Sequence, residues 1–147
     1  MRNGLVLFTS DRGIRPATLA AAAEERGFDT FYVPEHTHIP VKRTAAHPGT
    51  GDETLPDDRY LRTLDPWVSL ATAAQATSRI RLSTAVALPV ESDPITLAKQ
   101  IATLDHLSGG RVQERAVDVR ARRGDETGDR GGVHVGKSKE RRNWNTF

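Results

Sequence analysis

The sequence predicts an α/β fold in which short strands alternate with helices around a parallel sheet. From Met1 to Val112, short runs rich in β-branched and aromatic residues alternate with alanine- or leucine-rich helical patterns. Proline stands at the first turn of each helical pattern, where its fixed φ is favoured. This order is typical of βα units. At 147 residues the chain is long enough for one domain with a hydrophobic core.

The first βα unit is bounded by clear signals. Residues 4–8 (GLVLF) predict the first strand. Residues 16–26 (PATLAAAAEER) predict a helix that begins with proline and ends before Gly27. Residues 30–33 (TFYV) then predict the second strand.

A long polar connection over residues 34–62 follows the second strand, and it contains four prolines. It is too long for an ordinary connection between elements, so we expect a functional or mobile segment in which a lid could lie. Near its end stand Arg59, Tyr60 and Arg62. We expect a solvated charged face there, with contact to an anionic ligand as the alternative.

Two Asp-Pro pairs predict the starts of the next two helices. The helix after Asp65 should run to about Thr77, and the helix after Asp93 should end at residues 108–110 (SGG). Between them, residues 80–88 (IRLSTAVAL) predict the third strand. The apolar positions of the two helices are Trp67, Leu70, Ala71 and Ala74, and Leu97, Ile101, Leu104 and Leu107.

The chain changes character after Val112, which should open a fourth strand. Residues 113–147 contain no Leu or Ile and hold 9 Lys and Arg against 6 Asp and Glu, whereas residues 1–112 hold 12 against 13. We therefore predict a folded domain over residues 1–112 and a basic, loosely ordered tail over residues 113–147.

Composition excludes several classes of protein. There is no cysteine, so disulfide frameworks and thiolate metal sites are excluded, and redox chemistry would need a borrowed cofactor. No apolar run approaches the length of a membrane span, and residues 1–10 lack the features of a signal peptide. We expect a cytoplasmic protein with no membrane contact.

Glu35, His36 and His38 come directly after the second strand. Spacing alone favours solvated polar residues at a strand end, although an imidazole there is suited to proton transfer near pH 7. His36 and His38 share a face of an extended chain, but no third ligand follows at a motif spacing, so we predict no metal site. We expect His38 to lie in a loop near a substrate entrance, and His47 to be solvated.

The tail contains one formal motif. Residues 131–138 (GGVHVGKS) match the spacing of a phosphate-binding loop. That motif requires a buried strand before it and an apolar helix after it, and charged residues stand on both sides here. We interpret the match as chance. A nucleotide- or nucleic-acid-binding module in the tail is an alternative function, although six acidic residues weaken any contact with phosphates.

Three strings of residues together resemble a known family. They are VPEHTHIP at 33–40, LDPWVSLATAAQATSRIRLSTAV at 64–86 and DPITLAKQIATLDHLSGGRV at 93–112. They resemble the luciferase-like monooxygenase superfamily, in particular its F420-dependent oxidoreductases from actinobacteria. The resemblance implies a (β/α)8 barrel, a TIM barrel, with a reduced flavin or deazaflavin at the C-terminal ends of its strands. Such a barrel needs roughly 250 residues, so this chain would hold about its first three to four βα units.

The resemblance also implies roles for individual residues. Glu35 and His36 would lie beside the cofactor ring, with His36 as the acid/base or polarising group. The peptide bond between Ala85 and Val86 would be a non-proline cis bond against that ring, whereas the residues alone read as an ordinary buried strand. Thr84 would offer a hydroxyl to the ring edge.

The cofactor implied is coenzyme F420, with FMN as the alternative, and the substrate is a small organic molecule. Family members are usually dimers, so we expect a homo-oligomer. In this family a glycine-rich fourth strand follows the segment at residues 109–111, and this chain has residues 113–118 (QERAVD) instead. We expect a frameshift or truncated reading frame, with a divergent short product as the alternative. A catalytically inactive barrel fragment is therefore an alternative to an active enzyme.

One polar group near this break is expected to be structural. Asp105, Ser108, Gly110 and Arg111 stand where the third helix must end and lead into a fourth strand. We expect the Asp105 carboxylate to tie backbone amides and Arg111 together there.

Overall fold

The computed structural model describes residues 3–113, so the predicted tail and its phosphate-loop match lie outside the described residues. Strands and helices alternate as the sequence predicts. In chain order they are β1 Gly4–Val6, α1 Pro16–Glu25, β2 Thr30–Val33, α2 Pro66–Ala76, β3 Arg81–Thr84 and α3 Pro94–Ser108. Two 3-10 helices, Asp58–Arg62 and Pro89–Glu91, lie in the connections after β2 and β3.

The strands form one parallel sheet in the order β1-β2-β3. Phe31 in β2 is in register with Leu5 on one side and Leu82 on the other. Val112 forms a parallel bridge to Leu82, and the Gln113 N–H donates to the Leu82 carbonyl oxygen at 2.8 Å. The chain thus returns beside β3 at the position where a fourth strand is predicted.

The hydrophobic core lies between one face of this sheet and the helices. Side chains alternate between the two faces of a strand. Phe31 and Val33 belong to the core and are fully buried, whereas Tyr32 lies on the opposite face. The Tyr32 ring covers Gly4, because a Cβ atom at that position would lie 2.5 Å from Tyr32 Cε2. The other buried apolar residues are Ala20, Ala23, Trp67, Leu70, Ala73, Ala74, Ile80, Leu82, Ala87, Leu97 and Leu104.

The predicted helix starts are confirmed. Asp65 accepts a hydrogen bond from the Val68 N–H at 2.8 Å, and Asp93 accepts one from the Thr96 N–H at 2.8 Å. The expectation for Leu107 is wrong, since this residue is 63% exposed. Helical spacing locates an apolar face but does not determine how wide a strip of it the neighbouring helix covers.

Strands β1 and β3 are shorter than predicted. Leu7 still donates to the Tyr32 carbonyl oxygen at 3.4 Å, but Phe8 leaves the ladder. Strand β3 ends at Thr84, and after it the Ala85 N–H donates to the Val33 carbonyl oxygen at 2.8 Å. An apolar run on its own does not mark the point at which ladder pairing stops.

Arg111 joins the ends of two helices and a strand. Its guanidinium donates five hydrogen bonds, to the carbonyl oxygens of Ala74, Thr77, Ile80 and Ser108 and to the Thr77 hydroxyl. The structural role expected for Arg111 is thus confirmed, but the contact expected between the Asp105 carboxylate and Arg111 is wrong. Asp105 accepts from the Val112 N–H at 3.1 Å, but Arg111 pairs with carbonyl oxygens instead of with Asp105. A planar guanidinium can satisfy several terminal helix carbonyls at once.

Candidate functional site

The polar residues after β2 lie at the carboxyl edge of the sheet. Glu35 is 7% exposed, and its carboxylate accepts a hydrogen bond from the Leu88 N–H. Leu88 belongs to the connection that follows β3. Glu35 therefore ties the end of β2 to the connection that follows the neighbouring strand.

His36 lies among aromatic rings. Its imidazole stacks on Phe8, with ring centroids 5.6 Å apart and an interplanar angle of 16°. Tyr60, from the connection after β2, lies 5.4 Å from His36 and 4.7 Å from Phe8. His47 meets Tyr60 edge-on at 5.2 Å. We call these four residues the aromatic cluster.

The cluster corrects one expectation from the sequence. His47 is not fully solvated, because it is half-buried against the Tyr60 ring. Its main chain also closes a tight local turn, since the Gly51 N–H donates to the His47 carbonyl oxygen at 2.8 Å. The connection over residues 34–62 thus contributes three of the four rings, those of His36, His47 and Tyr60.

Burial lowers the pKa of His36 below its usual value of 6.5, because the imidazolium loses contact with water. The negative charges of Glu91 and Glu35 oppose this effect, and His47 adds to it. His36 is therefore mostly neutral at pH 7, a state in which one ring nitrogen can accept a proton.

The 3-10 helix at residues 58–62 is attached to the β1–α1 connection. Arg12 pairs with Asp58 at 2.8 Å, and Arg62 forms a bidentate pair with Asp11. Arg59 pairs with Asp57 in its own segment. The solvated charged face expected near the end of the connection is thus found only for Arg59, because Arg62 pairs across the fold with Asp11 and Tyr60 lies in the aromatic cluster.

The segment after β3 contains the cis peptide bond that the resemblance implies, between Ala85 and Val86. Thr84 is fully buried and its hydroxyl has no hydrogen-bond partner among residues 3–113, but Ala85 and Val86 are exposed, Val86 by 40%. Since Thr84 is in register with Val33, its side chain lies on the face that packs against the helices. Within residues 84–87, Ala85 and Val86 are thus the exposed positions.

His38, the remaining histidine of the connection after β2, lies at the periphery of the candidate site. The His38 side chain is 67% exposed, and its Nδ1 lies 3.9 Å from a Glu91 carboxylate oxygen. Within residues 3–113, no three His, Asp or Glu side chains are grouped as metal ligands. A shallow cleft of about 430 Å³ is lined by residues 41–44 and Glu53, none of which is a predicted site residue.

The family model for luciferase-like monooxygenases matches residues 14–114. The chain belongs to the luciferase-like monooxygenase family. The match includes the segment after β2, the exposed peptide after β3 and the Arg111 junction. In the part of this luciferase-like chain that the structure describes, no helix is long and apolar enough to cross a bilayer.

A related sequence occurs in Mycobacterium tuberculosis, as an uncharacterised protein that is 79% identical over 112 residues. The alignment covers 76% of this chain and 40% of the relative. This luciferase-like chain therefore spans about two fifths of the length of the mycobacterial relative that it matches.

Solved structures of larger proteins contain the same fold. The coenzyme F420-dependent tetrahydromethanopterin reductase of Methanopyrus kandleri matches with a TM-score of 0.57 and 25% identity, over 78% of this chain and 26% of the reductase. The oxygenating component of 3,6-diketocamphane monooxygenase from Pseudomonas putida, in complex with FMN, matches with a TM-score of 0.54 and 22% identity, over 79% of this chain and 29% of the other. The described sheet and helices correspond to part of a TIM barrel.

The exposed groups at the carboxyl edge fit the ring of a flavin or deazaflavin. Such a ring needs flat apolar contacts on its face and neutral hydrogen-bonding groups at its edge. The exposed apolar side chains of Ala85 and Val86 and the neutral imidazole of His36 are groups of these two kinds. These residues are thus chemically compatible with such a ring.

Sequence reasoning missed Phe8 and Glu91, and it treated Tyr60 only as part of a charged face. One signal could have found Phe8. It follows β1, and the carboxyl ends of parallel strands meet at one edge of the sheet. Tyr60 and Glu91 lie in irregular connections, which carry no periodic signal.

Proposed function

We propose that this luciferase-like unit binds coenzyme F420, with FMN as the alternative, and serves an oxidoreductase that acts on a small organic substrate. The observation that carries the proposal is the half-buried, neutral His36 at the carboxyl edge of the sheet. F420 takes precedence because the reductase with 25% identity is named for it, whereas the likeness to the FMN-containing enzyme is one of fold.

His36 is the proposed proton-transfer group. The bound cofactor would supply hydride transfer. The neutral imidazole would accept the proton of a substrate hydroxyl during oxidation and return it during reduction. Glu35 would stabilise the imidazolium formed in this step, since its negative charge favours the protonated ring.

The segment after β3 is the proposed contact for the cofactor ring. Ala85 and Val86, which are exposed, would pack against the ring. Thr84 would serve the site through the main chain that leads into this peptide, because its hydroxyl lies on the helix-packed face of the sheet. Glu35 would hold the far end of the segment through Leu88.

Fluorescence titration of the purified protein with F420, and separately with FMN, tests binding. We expect F420 emission to change with a saturable dependence on protein concentration, and Val86→Glu to weaken this binding by placing a charge on the ring-contact surface. Val41→Glu is the matched control, since Val41 lies in the long connection after β2 and is 98% exposed. No response with either cofactor would reject the proposal and favour an inactive barrel fragment.

Turnover tests the role of His36. Reduction of F420 can be followed by its visible absorption with a panel of small alcohols. His36→Gln keeps a hydrogen-bonding side chain but cannot transfer a proton, so we expect a loss of about 10²-fold or more in kcat. His38→Gln is the matched control and should retain activity, because His38 is exposed. Equal activities of the two variants would remove His36 from the mechanism.

Several finer expectations stay predictions. These are a homo-oligomeric state, a cytoplasmic location and the alternative of nucleic-acid binding through residues 113–147. Sedimentation of the purified chain would measure the first. Binding of a labelled oligonucleotide, compared with a chain lacking residues 113–147, would measure the last.

A further inference from the structure

Tyr60 contacts each of the other three rings of the aromatic cluster. It lies 4.7 Å from Phe8, 5.4 Å from His36 and 5.2 Å from His47. Phe8 and His36 come two and three residues after the ends of β1 and β2, so they lie close to the sheet. Tyr60 comes instead from the 3-10 helix at residues 58–62. The environment of His36 therefore depends on a side chain that the sheet does not place.

Two ion pairs of opposite polarity attach this 3-10 helix to the β1–α1 connection. An arginine of the β1–α1 connection, Arg12, pairs with an aspartate of the helix, Asp58. An aspartate of that connection, Asp11, pairs with an arginine of the helix, Arg62. The partners are 46 and 51 positions apart in sequence. We call these two pairs the reciprocal ion pairs.

Main-chain contacts extend the same attachment. The Leu64 N–H donates to the Thr9 carbonyl oxygen at 2.9 Å, and Ser10 forms an antiparallel bridge with Thr63. Tyr60 is thus fixed on its C-terminal side by backbone pairing and on both sides by charge. Its ring is half-buried, although most of the surrounding connection is exposed.

We propose that Tyr60 is a positioning residue for His36, and that the reciprocal ion pairs hold Tyr60 in place. This inference rests on the proposed role of His36 in proton transfer. An imidazole transfers a proton efficiently only when its nitrogen stays within hydrogen-bond reach of the reacting group. With Phe8 stacked on its face and Tyr60 tilted against it, the His36 ring keeps one plane.

The charges that act on His36 come from three directions. Glu35 precedes it in the chain, Glu91 lies in the connection after β3, and His47 lies in the long connection after β2. Loss of water contact has the largest effect, and it lowers the pKa of His36 below 6.5. Removal of the Tyr60 ring would readmit water to the imidazole while leaving both carboxylates in place. The pKa of His36 should then rise.

NMR titration of histidine ring resonances in the cofactor-free protein, from about pH 5 to about pH 8, measures this directly. The His36 resonance is assigned by its loss in His36→Gln. We expect Tyr60→Ala to raise the pKa of His36 and Tyr60→Phe to leave it unchanged, because phenylalanine keeps the ring. The resonance of His38 serves as an internal control. An unchanged His36 titration in Tyr60→Ala, with the far-UV circular dichroism of the wild type, would overturn the proposal.

Charge reversal tests the ion pairs. Arg62→Asp places a third carboxylate beside those of Asp11 and Asp58 and should repel the 3-10 helix from its attachment. The pKa of His36 should then rise, as in Tyr60→Ala. The double variant Asp11→Arg/Arg62→Asp restores opposite charges and should return it towards the wild-type value. An unchanged pKa of His36 in both variants would overturn the role of the ion pairs. Because no cofactor is present, a failure here differs from a failure of F420 to bind.

Discussion

The Glu24 carboxylate closes the turn between α2 and β3, and its removal should destabilise the domain in a pH-dependent way. Glu24 stands near the end of α1 and accepts hydrogen bonds from the N–H groups of Arg79 and Ile80 at 2.6 and 2.7 Å. It also accepts from the Ser78 N–H at 3.1 Å. Burial opposes the charged form, but these three bonds outweigh it and lower the pKa of Glu24 from 4.5 to about 2.

This difference in pKa sets the size of the effect. A fall of about 2.5 in the pKa of Glu24 corresponds to about 3.4 kcal/mol in the free energy of unfolding, at 1.36 kcal/mol per pKa unit. Glu24 is partly exposed, so water screens the interaction and we expect about 2 kcal/mol. Because the folded-state pKa lies below the unfolded one, this stabilisation is present above pH 4.5 and is lost as the pH falls towards 2.

Urea denaturation of Glu24→Gln, followed by far-UV circular dichroism, measures the effect. We expect a loss of about 2 kcal/mol in the free energy of unfolding at pH 7, shrinking as the pH falls from about 4.5 to about 2. Glu25→Gln is the matched control, since Glu25 is the next residue of the same helix and is exposed. Equal losses of unfolding free energy in the two variants, or a loss in Glu24→Gln that does not depend on pH, would refute the reasoning.

Three further predictions follow. Arg111→Lys should lower the free energy of unfolding by about 2–3 kcal/mol in urea titrations, because a lysine cannot make all five of the hydrogen bonds that Arg111 makes. A change near zero would show that these bonds do not stabilise the domain. Asp65→Ala should cost about 1 kcal/mol through loss of the cap on α2, with Asp65→Asn close to wild type in the same measurement. The rate of substrate oxidation should fall as the pH drops through the lowered pKa of His36, so the acidic limb of the kcat/KM profile should lie below 6.5; a limb at or above 6.5 would argue against His36 as the base.

The helices were predictable because their signals are local. A cap such as Asp65 bonds to a group three residues away, and the proline beside it fixes φ for the first turn. The position of Glu35 and His36 at the carboxyl edge followed from the end of β2. The cis bond at Ala85–Val86 followed from the resemblance and not from any local pattern of the residues.

The contacts around His36 could not be predicted in this way. Tyr60 reaches His36 across an irregular connection with no periodic pattern, and the pair of Arg62 with Asp11 joins positions 51 apart. A charge run such as the one near Arg62 looks the same in sequence whether it faces solvent or pairs across the fold. The burial of His47 depends on the same fold of the connection.

The bond between Glu35 and Leu88 makes the two sides of the candidate site mechanically unequal. Through it the end of β2 and the segment after β3 are coupled as one stiff wall, anchored by a buried carboxylate. The opposite wall, built by the connection with Tyr60, is held by backbone pairing only on its C-terminal side and otherwise by surface ion pairs that water and salt can screen. Adjustment to substrates of different size would therefore fall on the Tyr60 wall, while the wall proposed to contact the cofactor keeps its shape.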